Sequence, residues 1–495
     1  MSAKKAVIIG SGFSGLSAAC FMAKQGWSVT VIEKHSIPGG RARKMEAAGF
    51  TFDMGPSWYW MPDVFERFFS HFGHRVEDYY KLIRLDPSYR VYWKNSEVDI
   101  PANYIELTQL FESIEPGSGN QLDVFLKEAA YKYKTGMQKL VLKPGLSLTE
   151  FIEWDVIKGV FKLDLFSSMR THAAKYFKDE RLRELIEFPV LFLGALAENT
   201  PALYSLMNYA DIVGGTWFPK GGMYSVVDGM YSLAKELGVE FFFNCNATKL
   251  VENGGIIKKV KTSQQDFDAD VVIGSADYHY IETQLLEPHL RSYTDKYWDS
   301  RIMAPSCLIY YVGLNKKLKD ITHHMLFFDA PFEKHAEKIY TTKEWPDEPL
   351  FYVSITTATD PSLAPEGCEN LFFLVPVAPG LKDDDEQLRE HFFTMIVSRL
   401  EKRLKQGIRE HIIYKKSYAH SDFISDYNSF KGNAYGLANT LNQTAILKPS
   451  IKSKKVKNLY YTGQLTVPGP GVPPSLISGE VVAAQVTKDW KMKMY

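Results

Sequence analysis

Glycine-rich segments in this chain stand where backbone, a helix dipole and a few charges would be enough to hold phosphate. One is Gly10-Ser11-Gly12-Phe13-Ser14-Gly15, a G-x-G-x-x-G run, with the acidic Glu33 further on. In such a run the first glycine permits a tight turn and the second lets backbone approach a pyrophosphate. The third allows a helix to pack on a strand, and the helix N-terminus offers its N–H groups to the phosphates. Glu33 would accept hydrogen bonds from ribose hydroxyls. A second segment is Gly39-Gly40-Arg41, followed by Gly49-Phe50-Thr51-Phe52-Asp53-Met54-Gly55-Pro56. Paired glycines beside an arginine suit close backbone approach with a cation aimed at pyrophosphate charge. The third lies near the far end, where Tyr460-Tyr461-Thr462-Gly463 closes a strand and Gly469-Pro470-Gly471-Val472-Pro473-Pro474-Ser475 opens a helix. Proline is favoured in a first helical turn, and that N-terminus can stabilise negative charge on a ligand.

The elements that must position these residues are legible around them. Residues 5–9 read as a strand, about 14–25 as a helix stopped by Gly26, and 28–33 as a second strand, so the first segment opens a βαβ unit. From 103 to 207 the apolar period changes to about 3.6, which marks a helical insertion. Residues 217–285 return to α/β punctuation, with a helix at about 225–237 and strands around 239–244, 248–251 and 271–274. The stretch 305–376 is strand-like and aromatic, an acidic loop at 383–386 precedes a helix to about 404, and a strand at 459–462 leads to a final helix at about 475–488. The class is α/β: a Rossmann-like dinucleotide domain interrupted by a mixed α+β substrate domain with a helical, membrane-facing insertion. The expected division assigns 1–100, 215–285 and 455–495 to the dinucleotide domain, 101–214 to the helical region and 286–454 to the substrate domain. The prolines and helix N-terminus at the far end fit the charge that develops on a reduced flavin, so FAD is preferred to NAD.

The 58 Lys+Arg balance the 58 Asp+Glu, so no global field draws the chain to nucleic acid. Cys20, Cys245, Cys307 and Cys368 lie far apart with no CxxC pair, and read as reduced thiols rather than a disulfide framework or zinc site. His323-His324 has no further metal ligands at suggestive spacing, so no metal is expected. The apolar run before Gly10 is too short for a signal-peptide core, and the uncharged window 458–479 is broken by prolines and glycines, so no spanning helix is expected. The protein is expected in the cytoplasm, lying on the surface of any membrane it meets.

At these residues the chain resembles the FAD-dependent carotenoid desaturases of the bacterial phytoene desaturase type, within the wider flavin amine oxidase fold group. The resemblance runs over nearly the whole chain. It rests on the glycine segments above and, more narrowly, on Trp217-Phe218-Pro219-Lys220-Gly221-Gly222, Leu363-Ala364-Pro365-Glu366-Gly367-Cys368 and the stretch from Pro468 to Pro473. It implies ADP on Gly10, Ser11, Gly12, Ser14, Gly15 and Glu33, and pyrophosphate near Arg41 and Gly40. It also implies adenine against backbone at Ala247, and flavin beside Gly55, Pro56, Gly463, Val472 and Pro473. The loop Gln464-Leu465-Thr466-Val467 departs from the Gly-Thr-His type of such relatives. The implied reaction removes a hydride to flavin N5 and a proton from the neighbouring carbon of a C40 carotenoid, either phytoene or a hydroxylated carotene at its 3,4 bond.

A substrate with so little polarity must be held by apolar burial, at about 25 cal/mol per Å², and so needs a greasy tunnel. Candidate walls are Trp58, Tyr59, Trp60 and Met61 directly after Gly55-Pro56, the stretch from Phe188 to Leu196 with Phe192, Tyr204 with its neighbours to Met207, and Leu308 to Val312. Such a substrate resides in a bilayer, so the resemblance implies peripheral association with the inner membrane, with residues 151–166 and the basic end from Lys488 as candidates for the contact. Asp211, Asp277 and Glu366 stand near the named segments as carboxylates able to take a proton, with none singled out. The alternatives are a flavin amine oxidase acting on soluble amines, and a non-catalytic lipid or prenyl escort of the same ancestral fold.

Overall fold

The structure, a computed structural model, describes residues 4–151, 167–191 and 196–492. Its first sheet is five-stranded, in the order Leu459–Tyr461, Val271–Gly274, Lys5–Ile9, Ser28–Ile32, Glu240–Phe242, with every pairing parallel. Parallel strands are covered on both faces, which is why Val7, Ile8, Val271, Val272 and Ile273 are all buried with no polar alternation. Helix Phe13–Lys24 has no polar face along its buried part because it is sandwiched. On one side lies the sheet, and on the other the last helix, Val472–Met492. Their crossing is close: a Cβ on Gly479 would stand 2.4 Å from the Ser14 carbonyl oxygen.

The second sheet has seven strands, in the order Ile412–Tyr418, Ser306–Leu314, Glu369–Val377, Phe351–Ser354, His324–Phe328, Tyr89–Trp93, Glu97–Ile100. Side chains alternate across it. Leu308, Tyr310 and Val312 pack with Phe393, Ile396 and Leu400 of helix Glu386–Leu404, while Cys307, Ile309 and Tyr311 turn to the opposite side, toward the first core. The α/β class expected from the sequence is therefore what is found. The segment 1–100 is shared between sheets: strand Tyr89–Trp93 pairs in parallel with His324–Phe328, far away in sequence, and carries Glu97–Ile100 with it. These strands sit in the sheet of the substrate side, because their buried face (Tyr89, Val91, Trp93) completes its apolar wall.

Helices Tyr104–Ile114, Ser118–Thr135, Met169–Ala173 and Glu180–Leu191 form the helical region. Of the proposed membrane segment 151–166, all but Phe151 lies outside the described residues, and the basic end is described only to Met492 within the last helix. Among the described residues no helix is long and apolar enough to cross a membrane. All four cysteines carry free thiols.

Candidate active site

The turn between the first strand and helix is shaped by backbone contact. Gly10 has φ +101°, and a Cβ there would press to 3.1 Å from the Ala276 nitrogen. Gly15 lies against the same turn, where a Cβ would stand 2.1 Å from the Gly10 oxygen. Gly12 is different: its Cβ direction is open, and it caps helix Phe13–Lys24 without any side-chain bond to the first-turn N–H groups. Those donors and the helix dipole face one cavity of about 440 Å³, inside the roughly 300–1,000 Å³ range of ligand sites.

At its polar end the cavity is lined by Gly10, Ser11, Gly12, Ser14, Glu33, Gly40, Arg41, Ala247 and Asp277. Glu33 Oε2 accepts from the Ser11 backbone N–H at 2.9 Å and from its hydroxyl at 2.7 Å, and Oε1 accepts from His35 N–H at 2.9 Å. Arg41 Nη2 donates to Ser429 Oγ at 3.1 Å and to the Asn433 oxygen at 3.3 Å, with the guanidinium 5.3 Å from the Tyr427 ring centre. Its Nε is buried without a hydrogen-bond partner at the cavity wall. Burial lowers the pKa of Arg41, opposed by nearby Asp277, whose own pKa burial raises. Gln464, from the loop that departs from the expected type, turns its amide oxygen to Arg41 at 3.0 Å once the amide is oriented by its neighbours. An open glycine, uncapped helix donors and an unpartnered arginine nitrogen converge here. The site therefore fits a dinucleotide pyrophosphate.

The cavity continues past Gly55, Pro56, Gly463, Val472 and Pro473, which border it midway. Gly55 has to be glycine, since a Cβ would stand 2.4 Å from the Arg41 oxygen. Gly15 does not line the cavity and acts through packing. Beyond lies an aromatic wall of Trp58, Trp60, Met61, Phe188, Phe328 and Tyr352, joined by Met207, Ile309, Ile339 and Leu374. From Trp58 onward this wall carries no Asp, Glu, Lys or Arg among the described residues. Its one histidine, His335, has both nitrogens engaged, with the Pro376 oxygen at 2.8 Å and the Leu350 N–H at 2.8 Å, and burial pushes its pKa down to about 4.

Several expected residues fall elsewhere. Tyr59 is not in the wall: the chain is extended here, bridging to Trp217, so alternate side chains face opposite ways. Trp58 and Trp60 face the cavity while the Tyr59 ring stacks on Phe65 and its hydroxyl meets that of Tyr80 at 2.9 Å. Tyr204 is absent from the lining although Met207 is present, and Phe192 lies outside the described residues. Of the proton-taking candidates, Glu366 is exposed on a turn. Asp277 accepts from the Tyr280 and Phe430 N–H groups, each at 3.2 Å, as a local cap. Asp211 sits behind the wall, accepting from Thr216 Oγ1 at 2.9 Å and from the Tyr89 hydroxyl at 3.0 Å. Thr216 in turn accepts from the Trp60 indole N–H at 2.9 Å, so Asp211 fixes an aromatic wall residue from outside. The adjacent histidines are both buried with ring centres 4.4 Å apart, His323 standing just before the strand that begins at His324.

A parallel dinucleotide sheet whose cradle opens into an apolar pocket built on a second sheet defines a flavin-dependent oxidoreductase. The chain belongs to the family of flavin containing amine oxidoreductases, whose pattern matches residues 13–487, and its cofactor is FAD. It is 39% identical over 493 residues to the carotenoid 3,4-desaturase of Haloarcula japonica, covering 99% of each chain. It is 32% identical over 490 residues to a zeta-carotene-forming phytoene desaturase of Myxococcus xanthus, covering 98% of this chain and 94% of that one. An oxidoreductase from Methanosarcina mazei superposes with a TM-score of 0.63 at 17% identity, covering 97% of this chain and all of that one, a likeness of fold.

Proposed function

We propose that the protein is an FAD-dependent carotenoid desaturase that acts at the 3,4 bond of a C40 carotenoid. The observation that carries this reading is the junction at Gly55-Pro56, where a charged phosphate cradle gives way to an aromatic wall without an ionic side chain. A soluble amine would arrive as a cation and lose its hydration on entering such a wall with no carboxylate to compensate. A polyene loses nothing there and gains about 25 cal/mol for each Å² it removes from water. The 3,4 position follows the 39% identical relative.

FAD, when bound, supplies a hydride acceptor. The chain's own residues supply the rest. Trp58, Trp60 and Phe188 line the apolar part and exclude water from it, and the Asp211–Thr216 pair holds the Trp60 indole N–H in place. The substrate dissolves in bilayers, so we infer that the protein draws it from a membrane surface. Supporting this, Leu146 and Leu447 are exposed on adjoining loops, where a Cβ on Gly145 would meet the Ala445 oxygen at 3.3 Å. The inner membrane in the cytoplasm is the site this reading favours.

The test is conversion in liposomes by the flavin-loaded protein, offered phytoene and a hydroxylated acyclic carotene separately. Longer-wavelength absorption from the hydroxylated carotene, with a product two hydrogens lighter, is expected. No gain of conjugation from either carotene defeats the reading.

A further inference from the structure

The last helix, Val472–Met492, starts at the cavity, where Gly471, Val472, Pro473 and Pro474 are all part of the lining. That terminus is poor in donors. Pro473 and Pro474 have no N–H to offer, and Ser475 gives its own to the Gly471 oxygen at 3.0 Å, so within the first turn only Val472 can present one. Helix Phe13–Lys24, by contrast, meets its end of the cavity with uncapped N–H groups. A ligand that becomes anionic beside the last helix therefore finds less compensation than phosphate finds beside the first.

Behind this terminus lies an amine that nothing else in the fold uses. Gly469 precedes Pro470, and a Cβ on it would stand 2.9 Å from Asn439 Oδ1 and 3.1 Å from Lys448 Nζ, so both side chains close on this backbone. Lys448 is buried and its Nζ has no hydrogen-bond partner, nor have Asn439 Oδ1 and the Thr440 hydroxyl. The segment is held there by Thr466 Oγ1, which donates to the Pro449 oxygen at 2.6 Å. The groups set against the amine, Asn439 and Gly469, do not titrate, and among the described residues no charged side chain bears on it; burial alone lowers its pKa, to about 7. Near neutral pH such an amine gains or loses a proton in answer to charge that appears close by.

We propose that Lys448 is a redox-linked proton site for the flavin: neutral beside oxidised FAD and protonated beside reduced FAD, so that its ammonium balances the charge that the proline-blocked helix terminus compensates poorly. This goes beyond the desaturase reading and needs only the cofactor. A hydride brings FAD two electrons and one proton, which adds one negative charge to the ring system. Lys448 Nζ then binds one proton from solvent, and returns it when an acceptor removes the electrons. During desaturation that uptake offsets the proton released from the neighbouring carbon of the substrate. The effect works through charge rather than contact, since a full charge in a region closed to water acts over several ångströms.

The experiment is a potentiometric titration of FAD-loaded wild type, Lys448→Met and Lys448→Arg, followed by flavin absorbance, between about pH 7.5 and 8.5. A tenfold change in proton activity shifts a two-electron couple by about 30 mV for each proton taken up. The wild-type potential is expected to fall with a slope approaching about 60 mV per pH unit, that of Lys448→Met with about half of it. Lys448→Arg, charged throughout, is expected to show the smaller slope from a potential above that of Lys448→Met. At pH 7.5 the preference for reduced over oxidised FAD is expected to drop at least five-fold in Lys448→Met. If Lys448→Arg does not retain flavin, Lys448→Met decides alone. Equal slopes in wild type and Lys448→Met overturn the proposal, and so does a lower potential with an unchanged slope, which makes the lysine a packing residue. The titration uses no carotenoid, so a failure to desaturate overturns the functional reading and leaves this one standing.

Discussion

Glu33 holds Ser11 through a single carboxylate oxygen, which accepts both the backbone N–H at 2.9 Å and the hydroxyl at 2.7 Å. The acid therefore shapes the phosphate turn as well as lining the cavity. Removing its charge with Glu33→Gln is expected to weaken FAD binding about 10- to 100-fold, since hydrogen bonds to a charged group contribute about 1.5–3 kcal/mol. Flavin dissociation followed by fluorescence measures it, and wild-type retention would contradict the role.

Gly12 and Gly479 separate ligand binding from packing. Gly12 has open space where a side chain would go, so Gly12→Ala is expected to leave the melting temperature unchanged and to release flavin. Gly479 presses on the Ser14 backbone, so Gly479→Ala must push two helices apart and is expected to destabilise by about 1–3 kcal/mol. Thermal unfolding of the flavin-free proteins reads the contrast.

Lys448 is fully buried, its amine has no hydrogen-bond partner, and burial pushes its pKa down from 10.5 to about 7. Between those values the unfolded chain carries a proton that the folded chain has lost. This group's contribution to stability therefore rises with pH by roughly 1.4 kcal/mol per unit across that window and is flat below it. Lys448→Met is expected to raise the melting temperature at pH 7 and to flatten the rise toward pH 10. A variant that melts lower than wild type at pH 7 refutes this.

Asp211 shows the opposite sign. Burial raises its pKa from 3.8 to about 6, so the folded chain binds the extra proton in that window and the stability it contributes falls as pH rises through it. Asp211→Asn is expected to lose this slope, again roughly 1.4 kcal/mol per pH unit, in denaturant titrations from pH 4 to 6.5. Equal slopes in both proteins would show that the carboxylate does not titrate there.

What the sequence made legible was local. The turn from Gly10 to Gly15 announces itself because strand, glycines, helix and acid follow one another closely, and the helix 386–404 stands out by its period. The membership of Tyr89–Trp93 in the second sheet was not legible, because its partner His324–Phe328 is more than 200 residues away and nothing local records the pairing. Asn439 and Lys448 share that problem: each looks ordinary until the fold sets both against Gly469. Tyr59 was readable in principle. In an extended Trp-Tyr-Trp run only alternate residues face one way, and the period of two would have set it apart from Trp58 and Trp60.

The first helix, Phe13–Lys24, is covered by the last one, Val472–Met492, and the sheet beneath it takes an edge strand from Leu459–Tyr461. A ribosome must thus have delivered both of these late elements, residues 459–461 and 472–492, before the nucleotide cradle has its cover and its outermost strand. Nascent chains and fragments clipped before residue 459 should remain colourless, and loading with the yellow cofactor becomes a built-in report that translation has passed both elements.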